Sequence, residues 1–132
     1  MRTLALLSVI LLSACAASCA PGQAVGQSGA GQGATLARIH ALIGTPSCSG
    51  DSECRSLALG ERPCGGPESY LAYSAARTPE ADLRALGEAY RAERRSANTQ
   101  EGRASDCRFM LDPGAVCRAG TCTLGAAGPV AR

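Results

Sequence analysis

The sequence contains no lysine and no tryptophan, and its 132 residues include one phenylalanine, Phe109, and three tyrosines. A domain with so few large aromatic side chains cannot fill a sizeable core, so we expect it to depend on covalent cross-links. All 13 basic residues are arginine, and 11 acidic residues nearly balance them. Nucleic-acid-binding proteins carry a concentrated basic face, which this balance argues against.

Signatures of common enzyme classes are missing as well. The chain has no G-x-S-x-G, P-loop or H-E-x-x-H motif, and it has no C-x-x-C pair of the thioredoxin type. Its single histidine, His40, lies on the polar face of a short predicted helix and has no evident partner. We therefore predict a protein that is not an enzyme, without catalytic residues or cofactors. An enzyme that uses His40 as a general base or metal ligand is kept as a third hypothesis.

The N-terminus carries the pattern of an export signal. Met1-Arg2 is positively charged, and residues 3–12 form a hydrophobic run that is too short to span a membrane as a helix. The next segment, LSAC, ends at Cys15 and resembles the lipobox of bacterial lipoproteins, whose cysteine receives a diacylglycerol and becomes the mature N-terminus. Cys19 is an alternative lipidation site that lacks the upstream leucine, and ordinary cleavage would instead give a soluble exported protein.

The lipobox resemblance implies a location and a partner. The residue after Cys15 is Ala16 rather than the acidic residue that retains many lipoproteins at the inner membrane. We therefore predict an outer-membrane lipoprotein of the cell envelope that faces the periplasm. Two or three acyl chains would anchor it stably to the membrane, and an envelope protein is a further predicted partner.

Composition divides the chain into a signal peptide at 1–14, a flexible tether at 15–35, a domain at 36–124 and a disordered tail at 125–132. The tether consists largely of glycine, glutamine, alanine and serine. Such residues bury too little apolar surface to offset the entropy of ordering the chain, which predicts flexibility.

Two helices are predicted within the domain. An apolar stripe predicts a short helix at 36–43, with Thr35 as its N-cap. Thr78 as N-cap, Pro79 at the first position and a longer apolar stripe predict a second helix that extends to Ala97. We interpret the arginines near its end as complements of the helix dipole rather than as an anion site. They are Arg91, Arg94 and Arg95.

Strands are predicted at 57–59, 70–73 and 106–111 and in a hairpin at 116–123. The segment Gly65-Gly66-Pro67 forces a turn between the first two strands, because glycine tolerates positive φ and proline fixes its own φ. The expected fold is a small α+β domain in which one long helix packs across a few antiparallel strands.

Six cysteines follow the predicted tether, and an even number in a small exported domain indicates three disulfides. They lack the close spacing typical of zinc sites, so no metal site is predicted. A two-residue turn in the hairpin would place Cys117 directly opposite Cys122, whereas a three-residue loop with a bulge at Gly120 would not. We favour the bulged loop, with the hairpin cross-linked to the N-terminal strand region. The six are Cys48, Cys54, Cys64, Cys107, Cys117 and Cys122.

The segments CGGP, beginning at Cys64, and CRAGTC, ending at Cys122, resemble small cysteine-rich bacterial lipoproteins that have no assigned function. The resemblance implies export and a disulfide-bonded domain and adds no chemistry. We predict a lipid-anchored, non-catalytic binding module at the cell envelope. The alternative is a secreted serine-protease inhibitor, in which a rigid loop beside Cys64 offers Arg62 to a trypsin-like protease.

Overall fold

A computed structural model describes residues 27–126 of the chain, so the predicted signal peptide and both candidate lipidation sites, Cys15 and Cys19, lie outside the described residues. The described elements are α1 (Gln27–Ile43), a 3₁₀ turn (Asp51–Glu53), β1 (Cys54–Leu59), β2 (Ser69–Ser74), α2 (Glu80–Gln100), β3 (Ala115–Arg118) and β4 (Thr121–Leu124). β1 pairs with β2 and β3 with β4, both antiparallel. Within this part of the chain, no helix combines the length and apolar character needed to cross a membrane.

The predicted α+β class is confirmed, with two helices, two small antiparallel sheets and three disulfides. The prediction of one long helix is met only in part, because α1 has 17 residues and α2 has 21.

Helix α1 begins at Gln27, so residues 27–35 are helical where a flexible tether was predicted. Thr35 lies inside this helix and is not its N-cap. Its buried hydroxyl donates a hydrogen bond of 2.7 Å to Glu93 Oε1 on α2. This hydrogen bond ties the C-terminal end of the segment to α2, a contact between residues 58 positions apart that composition could not indicate.

The core lies between the two helices and the β1–β2 sheet. Its buried residues are Ile39, Ile43, Leu59 and Leu83. Gly87 of α2 faces the sheet, and an added Cβ there would lie 3.4 Å from Leu57 Cδ1, at the edge of ordinary contact distance. Helix α2 follows Pro79, and the hydroxyl of Thr78 makes no cap. That hydroxyl is buried without a hydrogen-bond partner among the described residues, so the capping prediction is wrong.

The β3–β4 hairpin has the two-residue turn, which is the alternative that we did not favour. Ala119 and Gly120 form a two-residue turn with positive φ at both positions (48° and 77°), and Cys117 faces Cys122. Positive φ at both central residues is the signature of a type I′ turn, which suits the twist of paired strands. The prediction of a bulged three-residue loop is therefore wrong.

The disulfides nevertheless cross-link the hairpin to the N-terminal strand region, as predicted. Cys117 is bonded to Cys48 and Cys122 to Cys54. Segment 46–48 runs beside β4, since the Cys122 amide donates to the carbonyl oxygen of Pro46 at 2.7 Å and the Cys48 amide to that of Gly120 at 3.0 Å. This backbone pairing directs the opposed cysteines to two different partners.

The predicted strand at 106–111 is not formed. Residues 103–114 contain no helix or strand and form a loop, called the exposed loop below. Among the described residues, the apolar run pairs with neither two-stranded sheet, and its backbone is instead held by the side chains of Arg62 and Tyr70.

Candidate interaction site

The exposed loop carries three consecutive large apolar side chains that point toward solvent. Phe109 is 73% exposed, Met110 36% and Leu111 49%. Single exposed apolar residues are ordinary, but a contiguous group of them marks interaction surfaces. The domain is poor in aromatics, yet its only phenylalanine lies on the surface. We therefore place the candidate site at this loop.

A disulfide supports the N-terminal half of the exposed loop. Cys107 is bonded to Cys64, and the backbone at Cys107 has φ of 54°, a conformation rare for residues other than glycine. Cys64 belongs to a tight turn in which the Arg62 amide donates to the Gly66 carbonyl and the Gly65 amide to the Arg62 carbonyl. The loop is therefore bonded covalently to a turn that is itself closed by hydrogen bonds.

Arg62 gives the loop a second support. Its guanidinium donates through Nη1 to the carbonyl oxygen of Arg108 at 2.8 Å and through Nη2 to Asp106 Oδ1 at 3.0 Å. The side chain is 24% exposed, so it lies along the domain and does not project from it. This placement does not favour the hypothesis that Arg62 enters the specificity pocket of a trypsin-like protease.

The C-terminal half of the loop is held against the β1–β2 sheet. The Tyr70 hydroxyl donates to the carbonyl oxygen of Met110 at 3.3 Å, and the Ser56 hydroxyl donates to the Asp112 carboxylate at 2.7 Å. Asp112 Oδ1 also accepts the Gly114 amide at 2.8 Å. Burial, followed by the negative charge of Asp112, raises the pKa of Tyr70, so the hydroxyl keeps its proton.

Phe109 lies between these supports and is held by none of them directly. The carbonyl oxygens of Arg108 and Met110 accept the hydrogen bonds from Arg62 and Tyr70. Within residues 27–126, the amide and carbonyl groups of Phe109 make no hydrogen bond. The loop therefore combines a supported backbone on both sides with one residue whose backbone and side chain are both available.

The arginine cluster of α2 lies beneath the turn that carries Arg62, and carboxylates neutralise it. Arg94 binds the Glu68 carboxylate with donor–acceptor distances of 2.7–3.0 Å, and this hydrogen bonding raises the pKa of the Arg94 guanidinium. Arg91 and Arg95 lie 3.7 and 3.1 Å from Glu61 Oε2. These ion pairs fix the turn to the helix. They do not favour an anion site, and they do not favour the interpretation that the arginines merely complement the helix dipole.

Two shallow polar clefts flank the turn, with volumes of about 510 and 500 Å³. Both are lined by Arg62, Pro63, Asn98 and Arg103, and Met110 contributes to the first. His40 lines neither cleft. It is exposed on α1, and no side-chain partner for it is found among residues 27–126.

The fold also brings together the sulfur atoms of three cysteines that do not form a closely spaced motif in the sequence. The Sγ atoms of Cys48, Cys54 and Cys122 lie within 4.8 Å of one another. All three belong to disulfides, whereas metal ions bind free thiolates. We therefore treat this cluster as structural.

Comparisons with protein-family models, with curated proteins and with solved structures gave no match to this chain. The resemblance to cysteine-rich bacterial lipoproteins stays a prediction, and the function must be inferred from the geometry of the site.

Proposed function

We propose that this protein is a lipid-anchored component of the cell envelope whose folded domain is a non-catalytic binding module. Its binding surface is the exposed loop. The observation that carries the proposal is the placement of Phe109, Met110 and Leu111 outside the core on a backbone supported from both sides. A loop already held in one conformation loses little entropy when it binds, and this favours affinity.

Two further features support the location in the envelope. The segment ending at Cys15 resembles a lipobox. The three disulfides suit an oxidising compartment, since they are rare in proteins of the reducing cytosol. An enzyme based on His40 stays a prediction, with no feature of the described residues in its favour.

The intact mass of the protein from its native membrane fraction tests the anchor. After alkylation without reduction, we expect acyl chains on Cys15 and six cysteines protected from the reagent. An unlipidated chain, or free thiols among the six, would contradict this part of the proposal.

Site-specific crosslinking tests the binding surface. We would replace Phe109 with the photo-reactive p-benzoylphenylalanine and place the same group at Arg84, an exposed position on α2, as a matched control. We expect a discrete crosslinked product in the intact envelope from position 109 and none from position 84. Equal crosslinking from both positions would contradict the assignment of the exposed loop.

A further inference from the structure

Phe109 is at the centre of a supported segment with the features that a serine protease requires of a bound peptide. Such a protease places one side chain in its specificity pocket and the carbonyl oxygen of the same residue in its oxyanion hole. The side chain of Phe109 is 73% exposed and its carbonyl oxygen has no partner within residues 27–126. The side chain and the carbonyl oxygen of Phe109 can therefore both contact a protease.

The neighbouring residues do not meet both requirements. The Arg108 side chain is 84% exposed, but its carbonyl oxygen accepts the hydrogen bond from Arg62. The carbonyl oxygen of Met110 is occupied by the Tyr70 hydroxyl. Either oxygen would have to give up its hydrogen bond to enter an oxyanion hole. Leu111 also has a carbonyl oxygen without a partner within residues 27–126, but its side chain is 49% exposed against 73% for Phe109, so the site favours Phe109.

We propose that the exposed loop is the reactive loop of a serine-protease inhibitor and presents the Phe109–Met110 peptide bond. The partner is a chymotrypsin-like protease, because a hydrophobic specificity pocket accepts phenylalanine. This proposal rests on the proposed function, in which the exposed loop is the binding surface. It differs from the earlier hypothesis in that Arg62 is a positioning residue, which acts through the Arg108 carbonyl and Asp106 and does not itself enter the protease.

The supports explain why such a loop would inhibit the protease rather than serve as an ordinary substrate. In cleavage, the protease serine attacks the Phe109 carbonyl carbon, and the Met110 nitrogen leaves as an amine after taking a proton from the protease histidine. Water then releases the Phe109 carboxylate from the serine. In an ordinary substrate the two new ends diffuse apart, which makes the first step effectively irreversible.

In this loop both ends stay in place. The Cys64–Cys107 disulfide and Arg62 hold the side that ends at Phe109. Tyr70 and the Ser56–Asp112 hydrogen bond hold the side that begins at Met110. The Met110 amine therefore remains beside the acyl group and re-forms the peptide bond, because reactants held in position react far faster than free ones.

The experiment is a titration of chymotrypsin with the oxidised full-length protein in detergent, read with a phenylalanyl p-nitroanilide substrate. We expect activity to fall in proportion to the added protein and to be nearly lost at equimolar amounts, with slow cleavage at Phe109–Met110 in the mass spectrum. Full activity at a tenfold excess, or rapid complete cleavage without inhibition, would overturn the proposal.

A change of specificity gives the sharper test. Phe109→Arg should weaken inhibition of chymotrypsin by about 100-fold or more and create inhibition of trypsin, since the specificity pocket selects the presented side chain. Leu111→Arg places the same side chain two positions away and should not create trypsin inhibition. Trypsin inhibition by both variants, or by neither, would overturn the choice of Phe109.

A separate measurement tests whether Arg62 positions the loop. Arg62→Ala should raise the inhibition constant by about tenfold and speed cleavage at Phe109–Met110 in the complex, because the hydrogen bond to the Arg108 carbonyl is lost. An unchanged cleavage rate would show that Arg62 does not position the loop.

The two proposals can fail separately. If chymotrypsin is not inhibited but crosslinking remains specific to position 109, the inhibitor proposal is wrong and the binding surface stands. If crosslinking in the envelope is the same at positions 109 and 84, the proposed function is wrong whatever chymotrypsin shows.

Discussion

The two ends of this domain use disulfides in different ways. At the double-disulfide end, formed by the Cys48–Cys117 and Cys54–Cys122 bonds, Cys54 and Cys122 are 4% and 3% exposed. At the loop end, both cysteines of the Cys64–Cys107 bond are exposed. The first end reinforces the small core of a domain poor in aromatics, while the second holds apolar residues away from that core.

The hydrogen bonds differ in the same way. At the double-disulfide end, backbone groups of segment 46–48 pair with the β3–β4 hairpin. At the loop end, side chains supply the support, through Arg62, Tyr70 and Ser56. Backbone pairing fixes a whole segment. Side-chain donors can instead fix individual carbonyl groups, here those of Arg108 and Met110, and leave the Phe109 carbonyl without a partner among the described residues. The double-disulfide end therefore stabilises the domain and the loop end presents Phe109, and four predictions test this difference.

The largest expected effect is at the double-disulfide end. Replacing its four cysteines with alanine should cost about 7 kcal/mol, from lost loop closure and lost packing of buried sulfur, and should unfold a domain of ordinary stability. The matched variant, with Cys64 and Cys107 replaced by alanine, should lose about 3 kcal/mol and remain folded. Circular dichroism with urea titration measures both. A four-cysteine variant that still unfolds cooperatively would contradict the comparison.

Gly60 is placed where β1 ends and the chain turns toward the loop end. It has φ of +71°, and an added Cβ would collide with the Glu68 carboxylate that Arg94 holds. We expect Gly60→Ala to cost about 2 kcal/mol, through positive φ and displacement of Glu68. Gly66→Ala is the control, because Gly66 also has positive φ (+78°) but open space around it, and it should cost about half as much. Equal losses in chemical denaturation would show that the Glu68 contact does not matter.

Limited reduction should open the disulfide at the loop end faster than those at the double-disulfide end. A reductant reaches an exposed disulfide more easily than a buried one, so Cys64–Cys107 should open before the half-buried Cys48–Cys117 bond and about ten times faster than the buried Cys54–Cys122 bond. Alkylation followed by peptide mapping would locate the first free thiols. Early labelling of Cys54 or Cys122 would contradict the burial described above.

The smallest effect concerns pH. Burial, and then the hydrogen bond to Glu80, raises the pKa of Tyr73 to about 12. Since the unfolded value is about 10, the folded state holds the proton more tightly, and the resulting stability is complete below pH 10 and is lost as pH rises toward 12. Tyr73→Phe should flatten this decline and cost about 0.5 kcal/mol at neutral pH. Urea titrations from pH 8 to 11 measure the slope, and an unchanged slope would count against the Tyr73–Glu80 interaction.

The elements that local chemistry determines could be predicted from the sequence. Pro79 and an apolar stripe indicated α2, and the Gly65-Gly66-Pro67 turn indicated the β1–β2 pair. The cysteine count and the near-absence of aromatics indicated three disulfides.

Most of the wrong predictions depend on contacts between residues distant in sequence, whereas the failed Thr78 cap is local. Residues 27–35 are helical, and Thr35 among them is hydrogen-bonded to Glu93 on α2. The turn at Ala119-Gly120 accepts a positive φ at alanine while the flanking strands are cross-linked. The apolar run in the exposed loop predicts a strand that is not formed, because such a run indicates a preference for burial and does not by itself supply the backbone pairing of a strand. A lone phenylalanine two residues after a cysteine is the only signal of the site in the sequence, and it does not indicate exposure.

Because hydrogen bonds hold the carbonyl groups on both sides of Phe109, we expect this exposed residue to have a rigid backbone. The most direct measurement is the ¹⁵N backbone order parameter at residues 108–111 in the oxidised protein, compared with that of α2. We predict values near 0.8, similar to the helix, with faster motion in the Arg62→Ala variant. Values below about 0.6 in the unmodified protein would show a mobile loop and contradict the account.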